Sequence, residues 1–362
     1  MYALERCTNE RPVSTPQDPA TPGSTCARVS LCCALAAAVA AAACRPPQAS
    51  PPQGSQPSFA FALIGDNPYP ERRVPAFEAL INDVNGDADL EWVLHLGDIK
   101  DGGEPCSDEL LRARFDLFQR FQPAFIFTPG DNDWFDCSAE DAGAGHDYER
   151  LAFLRRLFYP DPEKTTGGRP FTVESQRRDP GYEEFVENAM WVRGSVVFST
   201  FHLIALLRTP TDPAVAERRM DAALAWIEKA FRLAEQLDSP AVFLATQVDP
   251  WLASGNPPLV RDLCPACGQP EAGMERLYPF LETETVRFGR TVVLAVGDTH
   301  VFRIDKPLYS SETGRLVENF TRVEVFGDPS VHWVRVLVEP DRPEVFTFRQ
   351  ELVESNPMEL RR

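Results

Sequence analysis

Positive charge is scarce in this chain. Lys and Arg number 36 against 54 Asp and Glu, which leaves a formal net charge of −18. That balance excludes a nucleic-acid footprint of the usual kind, in which clustered Lys and Arg neutralise phosphates. An acidic surface speaks to solubility more than to a partner. The apolar run from Val29 to Ala43 spans fifteen residues, short of the roughly 20 that a membrane-crossing helix needs. A second Cys-x-x-Cys is missing, so Cys264-Pro-Ala-Cys267 lacks the partners for a four-ligand zinc site and reads as a local disulfide or loop staple. No stretch after residue 57 has the composition of an inter-domain linker, and 43% apolar residues suffice for a sizeable core. One domain over residues 58–352 is expected, with a short tail over 353–362.

The first 57 residues read differently. Arg28 precedes the apolar run, which ends in Ala41-Ala42-Ala43-Cys44 and gives way to Arg45-Pro46-Pro47. A basic residue, an apolar stretch and small residues at a cut site describe a secretory signal. Cys44 after three alanines fits a lipoprotein signal with Cys44 lipidated, although Ala41 stands where Leu is usual, so simple secretion stays open, as does an Ala-rich tail. The late position of the run puts the expected start codon nearer Arg28. Residues 1–44 are therefore read as a leader and 45–57, rich in Pro, Gln and Ser, as a linker. The expected location is periplasmic or membrane-anchored, with any membrane contact made through Cys44. Export leaves four cysteines in the domain, Cys106, Cys137, Cys264 and Cys267, and an even number in an oxidising compartment points to disulfides.

Four apolar runs end alike. Phe61–Ile64, Val93–Leu96, Phe125–Thr128 and Val292–Val296 lead into Gly65-Asp66, Gly97-Asp98, Gly130-Asp131 and Gly297-Asp298. Each run is long enough for a buried strand, and Gly-Asp is a turn. Together they would gather four carboxylates at the carboxyl ends of strands, where open α/β sheets bind ligands. Carboxylates so gathered repel one another and call for a cation. If the second and third strand ends are neighbours, a Cys106–Cys137 bridge would tie their loops. Helices are expected over 74–85, from an N-cap at Ser107 to about Gln119, over 147–158 and over 213–237. Residues 160–182 read as a surface excursion and 252–285 as irregular. Strands are expected over 59–64, 92–96, 125–128, within 190–207, over 241–245 and 291–296, and in four runs from Val301 to Arg349.

Read in order, Gly65 to Tyr69, Gly97 to Gly103, Pro129 to Cys137, Glu187 to Trp191 and Gly297 to His300 resemble the calcineurin-like metallophosphoesterases. The parent pattern is D-x-H, G-D-x-x-D, G-N-H-[DE], a lone His and G-H-x-H. The closer likeness is to a divergent bacterial exported branch reading G-D-x-P-Y, G-D-I-K-x-G, P-G-D-N-x-W, E-N-x-x-W and G-D-T-H. The resemblance implies an α/β sandwich of two packed mixed β-sheets flanked by helices, and one or two divalent ions held between them. It implies Asp66, Asp98 and His300 near one ion, and Asp98, Asp131, Gln247 and Asp298 near a second.

The departures from the parent pattern bear on the chemistry. Pro68 stands in place of the first His, Asp131 in place of Asn, Asn132 in place of the acid–base His, Gln247 in place of the lone His, and Asp298 in place of another. Oxygen donors favour Mg or Mn, with Ca, Fe or Zn as alternatives. The expected function is hydrolysis of a small phosphomonoester or phosphodiester, with Asp98, Asn132, Lys100 and His300 in catalytic roles. The alternative is an impaired member that binds a ligand or an unidentified protein partner. General acid–base help is worth about 10²–10⁴-fold, and Asn132 could hold a phosphate oxygen but not move a proton. Lys100 balances phosphate charge on this reading, or is solvated or paired with an acid. Asp101 is a second acid or a loop cap, Asp133 organises the turn under Trp134, and His95 is a core histidine.

Overall fold

The computed structural model describes residues 56–139, 147–204, 213–251 and 273–358. The leader with Cys44, the Cys264–Cys267 pair and His146 lie outside them. Two mixed sheets face each other. In the first, β1 (Phe59–Ile64), β2 (Leu90–His95) and β3 (Ala124–Phe127) run parallel, joined by α1 (Val74–Gly86) and α2 (Asp108–Phe118). Every residue of β1 and β3 is buried, as both-face burial requires of such continuous apolar runs. Ser107 caps α2, its hydroxyl accepting from Leu110 N at 3.1 Å. The helix α3 (Asp147–Phe158) follows.

The second sheet is built on β6 (Ala189–Arg193), β7 (Val196–Thr200), β8 (Ala241–Ala245) and β9 (Thr291–Val296). The hairpin β6–β7 is antiparallel, and β7, β8 and β9 are parallel. The helix α4 (Pro213–Gln236) connects β7 to β8. Then come β10 (Arg303–Asp305), β11 (Phe320–Glu324), β12 (Trp333–Val338) and β13 (Phe346–Glu351), of which β12 and β13 return to the first sheet beside β1. The facing surfaces pack Phe61, Trp92, Trp191, Phe198 and Phe243 into one aromatic core, with Phe61 stacked on Trp92 at 4.9 Å.

Two expectations are corrected. Residues 160–182 are more than an excursion: β4 (Thr166–Gly167) and β5 (Glu174–Ser175) pair with β3 and β6 and close an edge of each sheet. Part of the stretch read as irregular is α5 (Leu277–Phe288). Its Leu277, Leu281, Thr285 and Phe288 recur at helical spacing and are buried. Pro279 falls in the first turn, where no intrahelical donor is lost, and Gly289 ends the helix at φ 67°.

One buried carboxylate joins four segments. Glu187 accepts from Arg155 on α3 at 2.9 and 2.7 Å, from Arg219 on α4 at 3.2 Å, and from His202 after β7 at 2.9 Å. Trp134 Nε1 donates to His202 Nε2 at 3.0 Å, and His202 Nδ1 lies 2.9 Å from both Glu187 Oε1 and Arg219 Nη1. Burial pushes the Glu187 carboxyl up, but Arg155 and His202 outweigh it and hold it well below its usual range. Burial, with Arg219, pulls His202 down to about 3. Removing one partner of a buried ion pair costs about 3–5 kcal/mol. Glu187→Gln is expected to destabilise the fold by that amount in urea unfolding; an unchanged midpoint would show that the cluster is dispensable.

Candidate active site

The parallel strands of both sheets end on one edge, and the Gly-Asp turns meet there. Backbone bonds stitch the loops in pairs: Asp66 N to Gly97 O at 3.0 Å, Thr128 N to His95 O at 3.1 Å, and Gly297 N to Gln247 O at 2.8 Å. Asp298 N reaches across to the Asp66 carboxylate, at 3.1 and 3.2 Å from its two oxygens. Asp66, Asp98, Asp298 and His300 all take positive φ, 50°, 52°, 82° and 65°. Non-glycine residues in that region are uncommon, and they gather at functional sites.

The glycines make room for the acids of neighbouring turns. A Cβ on Gly130 would lie 1.9 Å from Asp98 Oδ1, and one on Gly297 would lie 2.4 Å from Asp66 Oδ2. Each glycine thus leaves the space that the carboxylate of another strand end occupies.

Gln247 sits between two of these acids, its Nε2 donating to Asp98 Oδ2 at 3.1 Å and to Asp66 Oδ1 at 3.5 Å. Asn132 N donates to Asp98 Oδ1 at 3.2 Å, and Asp249 N to Asp298 Oδ2 at 3.2 Å. Burial raises the Asp98 carboxyl well above its usual range, and the charges of Asp131, Asp133, Asp66 and Asp298 add to it. Burial and then Asp131 do the same to Asp298. Burial and then Asp136 push Asp131 up to about 7.

His300 lies beside this group. In the neutral ring Nδ1–H donates to Asp328 O at 2.6 Å, which leaves Nε2 to accept from the Tyr69 hydroxyl. Nε2 is also 3.9 Å from Asp66 Oδ1. Lys100 is buried, its Nζ donating to Asp101 O at 2.8 Å. Burial lowers its pKa against the opposing pull of Asp133 and Asp98. Asp101 is exposed and accepts from Gly103 N at 3.0 Å, which makes it a cap of its own loop.

Asp133 accepts from the backbone N–H groups of Asp98, Ile99 and Gly130 at 3.0, 2.8 and 2.8 Å. It welds the second and third turns together beneath Trp134. His95 is a buried core histidine bonded to Asn67 O at 2.8 Å. Cys106 and Cys137 stand paired on the same two loops, with Cα atoms 5.6 Å apart.

Three contributors were not legible in the sequence. Tyr69 sits in the G-D-x-P-Y segment, but its contact with His300 spans 231 positions. Asp328 orients His300 through its carbonyl, to which any residue type could contribute. Asp249 links Asp298 to the buried Arg322, whose Nη1 donates to Asp249 at 2.6 Å.

The donor set suits an oxygen-seeking cation. Asp66, Asp98, Asp131 and Asp298 supply anionic oxygens, Gln247 an amide, and the buried acids repel one another. Among the described residues, no three His, Cys, Asp or Glu side chains form a ready-made ion site, and in this arrangement Gln247 Nε2 and backbone N–H groups bond to the carboxylate oxygens instead.

The family model for calcineurin-like phosphoesterases matches residues 59–302. Among solved structures, PhoD is similar at TM-score 0.50 and 12% identity, over 84% of this chain and 69% of PhoD. GAP50, the anchor in the inner membrane complex of Plasmodium, is similar at TM-score 0.46 and 10% identity, over 83% of this chain and 90% of its own. A 5'-nucleotidase from Candida albicans is similar at TM-score 0.43 and 8% identity, over 81% of this chain and half of its own. No curated protein matches. At 12% identity the likeness to PhoD speaks to the fold alone.

Gly130→Ala forces its new methyl against Asp98 Oδ1 and close to Gln247 Cγ, and both of those site side chains must shift. The variant is expected to lose Mn binding in calorimetry and to melt at a lower temperature. Gly86→Ala, whose Cβ would meet nothing within 4 Å, is expected to match the parent in both. Equal Mn binding by Gly130→Ala would show that the close approach is not needed.

Proposed function

Because the chain belongs to the calcineurin-like phosphoesterase family, we propose that it hydrolyses a small phosphate ester with the help of a divalent cation held by its strand-end acids. The observation that carries this reading is the meeting of Asp66 and Asp98 on one amide, Gln247, with the Asp298 N–H closing over Asp66. Asp66, Asp98, Asp131, Gln247 and Asp298 would hold the cation, Mg or Mn by donor type. Bound there, it would supply Lewis-acid polarisation of a phosphoryl oxygen.

The rest falls to the chain's own side chains. The Asn132 carboxamide lies against Gly102 with no hydrogen-bond partner among the described residues, free to donate to a phosphate oxygen. His300, held by the Asp328 carbonyl and the Tyr69 hydroxyl, stands on the rim of the acidic group with Nε2 3.9 Å from Asp66 Oδ1. Lys100 offsets the acids from behind. No side chain of this set replaces the missing acid–base His, so a modest turnover is expected.

A second reading, binding of a ligand or protein partner without turnover, draws on the hydrogen bonds that separate the carboxylates. Hydrolysis of an aryl phosphate with Mn or Mg decides between the two. Turnover that depends on either metal and falls at least about 10²-fold in Asp98→Ala supports the first, at the scale that loss of a transition-state contact carries. Equal rates in parent and variant would overturn it.

We also propose that the domain works outside the cytoplasm, behind a leader ending at Cys44. Its support is the order of Arg28, the apolar run and Cys44, together with the Cys106–Cys137 pair on the site loops. Peptide mapping without reduction, on protein recovered from its native host, is expected to return the 106–137 cross-link. Free thiols at both positions would argue for a reducing compartment.

A further inference from the structure

At the amino-terminal edge of the sandwich, opposite the candidate active site, the sheets part around a cavity of about 860 Å³. The register fixes its place. Arg193 pairs with Val196 at the start of β7, while Ala189 pairs with Thr200 at the end that leads toward the site. The lining takes in Met190 to Arg193 of this hairpin but none of the strand-end acids, so the cavity is no extension of the acidic group.

Its wall is aromatic and drawn from both sheets. Trp92 on β2, Trp191 on β6 and Phe171 form a three-ring surface, with centroids 5.8, 6.0 and 6.2 Å apart. Both indoles are deeply buried, at 1% and 7% exposure, and Nε1 of each has no hydrogen-bond partner among the described residues. Trp226 and Trp251, away from this cavity, likewise bury Nε1 without a partner among the described residues, so these N–H groups belong to the core packing and not to the ligand surface.

The rim adds charge. Arg193 is committed to Glu91 at 2.8 and 2.7 Å, Arg178 to Glu163, and Glu174 to Lys229 at 2.7 Å. Arg169 is exposed, donates to Leu90 O at 2.6 Å, and has no carboxylate partner among the described residues. An apolar wall with aromatic edges and one guanidinium without a carboxylate partner at the mouth matches a specific chemistry. The body is flat and apolar, and it carries an anionic oxygen group.

We infer that this cavity is a second ligand site, for a small aromatic organic anion. The body lies against Phe171 and the accessible edge of Trp191, with Trp92 packed behind them, and the anionic group faces Arg169. The site does not depend on the phosphoesterase reading.

The probe is 1-anilinonaphthalene-8-sulfonate, titrated into the folded full chain, with emission excited directly and through tryptophan. One saturable site is expected. Arg169→Gln should weaken it by about tenfold or more, the scale of a lost charge-assisted hydrogen bond, and Trp191→Phe by severalfold. N-phenyl-1-naphthylamine, with the same rings and no charge, should bind more weakly than the sulfonate and be indifferent to Arg169→Gln. Asp98→Ala should bind the sulfonate as the parent does. Absence of saturable binding, equal affinity in Arg169→Gln, or loss of binding in Asp98→Ala would each overturn the assignment. Arg169 is exposed, so its substitution leaves a folded chain to measure even if Trp191→Phe does not fold.

Discussion

Burying several carboxylates within reach of one another is the constraint on which the rest of this structure depends. Each lost its water on burial, and each raises the cost of ionising the next. Asp98 feels Asp131, Asp133, Asp66 and Asp298 at once, after burial itself. The chain answers with donors aimed at specific oxygens. Asp298 N covers Asp66, Asn132 N covers Asp98, Asp249 N covers Asp298, and Gln247 Nε2 serves Asp66 and Asp98 together. These donors come from different turns, so the acids can be solvated by protein only if the strand ends are held in one arrangement. Glycine before Asp131 and before Asp298 then follows from steric need, because at Gly130 and Gly297 a methyl group would overlap a carboxylate from another turn.

That arrangement is locked from behind by paired charges. Arg322 is buried and grips Asp249 at 2.6 Å and Asp305 at 2.9 Å. Burial works against its charge, but the two acids outweigh it and its pKa rises. The grip on Asp249 fixes the backbone N–H that Asp298 needs. On the other flank, Asp133 fixes three backbone donors, and Glu187 with His202 fixes Trp134 beside it. A buried pair of this kind is costly to break and adds little when compared with an apolar core of equal volume. Its value here is positional: both clusters end on a residue that touches an acid of the site.

How much of this was legible in the sequence follows from range. Strands such as Phe59–Ile64 and Thr291–Val296 announce themselves because both-face burial demands unbroken apolar runs, and the Gly-Asp turns mark their ends. Ser107 declares α2 because a capping hydroxyl acts over three residues. The short edge strands at Thr166–Gly167 and Glu174–Ser175 declare nothing, since two residues carry no period and exist only by pairing with β3 and β6. The helix α5 was hidden by Pro279, a breaker anywhere except the first turn. Asp66, Asp98, Asp131, Gln247 and Asp298 could be read as a set because each ends a strand of the same edge. Tyr69 and Asp328 could not, since their meeting with His300 is decided by how β1, β9 and the segment after β11 fold onto one another.

The exchange of histidine for oxygen donors changes what the site can ask of its protons. Imidazole at the position of Asn132 would offer a proton near neutral pH, whereas a carboxamide offers only a fixed dipole. His300 does not compensate. With Nδ1–H spent on Asp328 O, the neutral ring turns a lone pair toward Tyr69 and Asp66, which suits a ligand or an acceptor and not a donor to a leaving group. The burden of stabilising a developing negative charge therefore falls on electrostatics: on whatever cation the acids hold, on Asn132, and on Lys100 behind them. On the proposed hydrolysis, such a site would suit esters whose leaving group departs without a proton far better than those whose leaving group must take one.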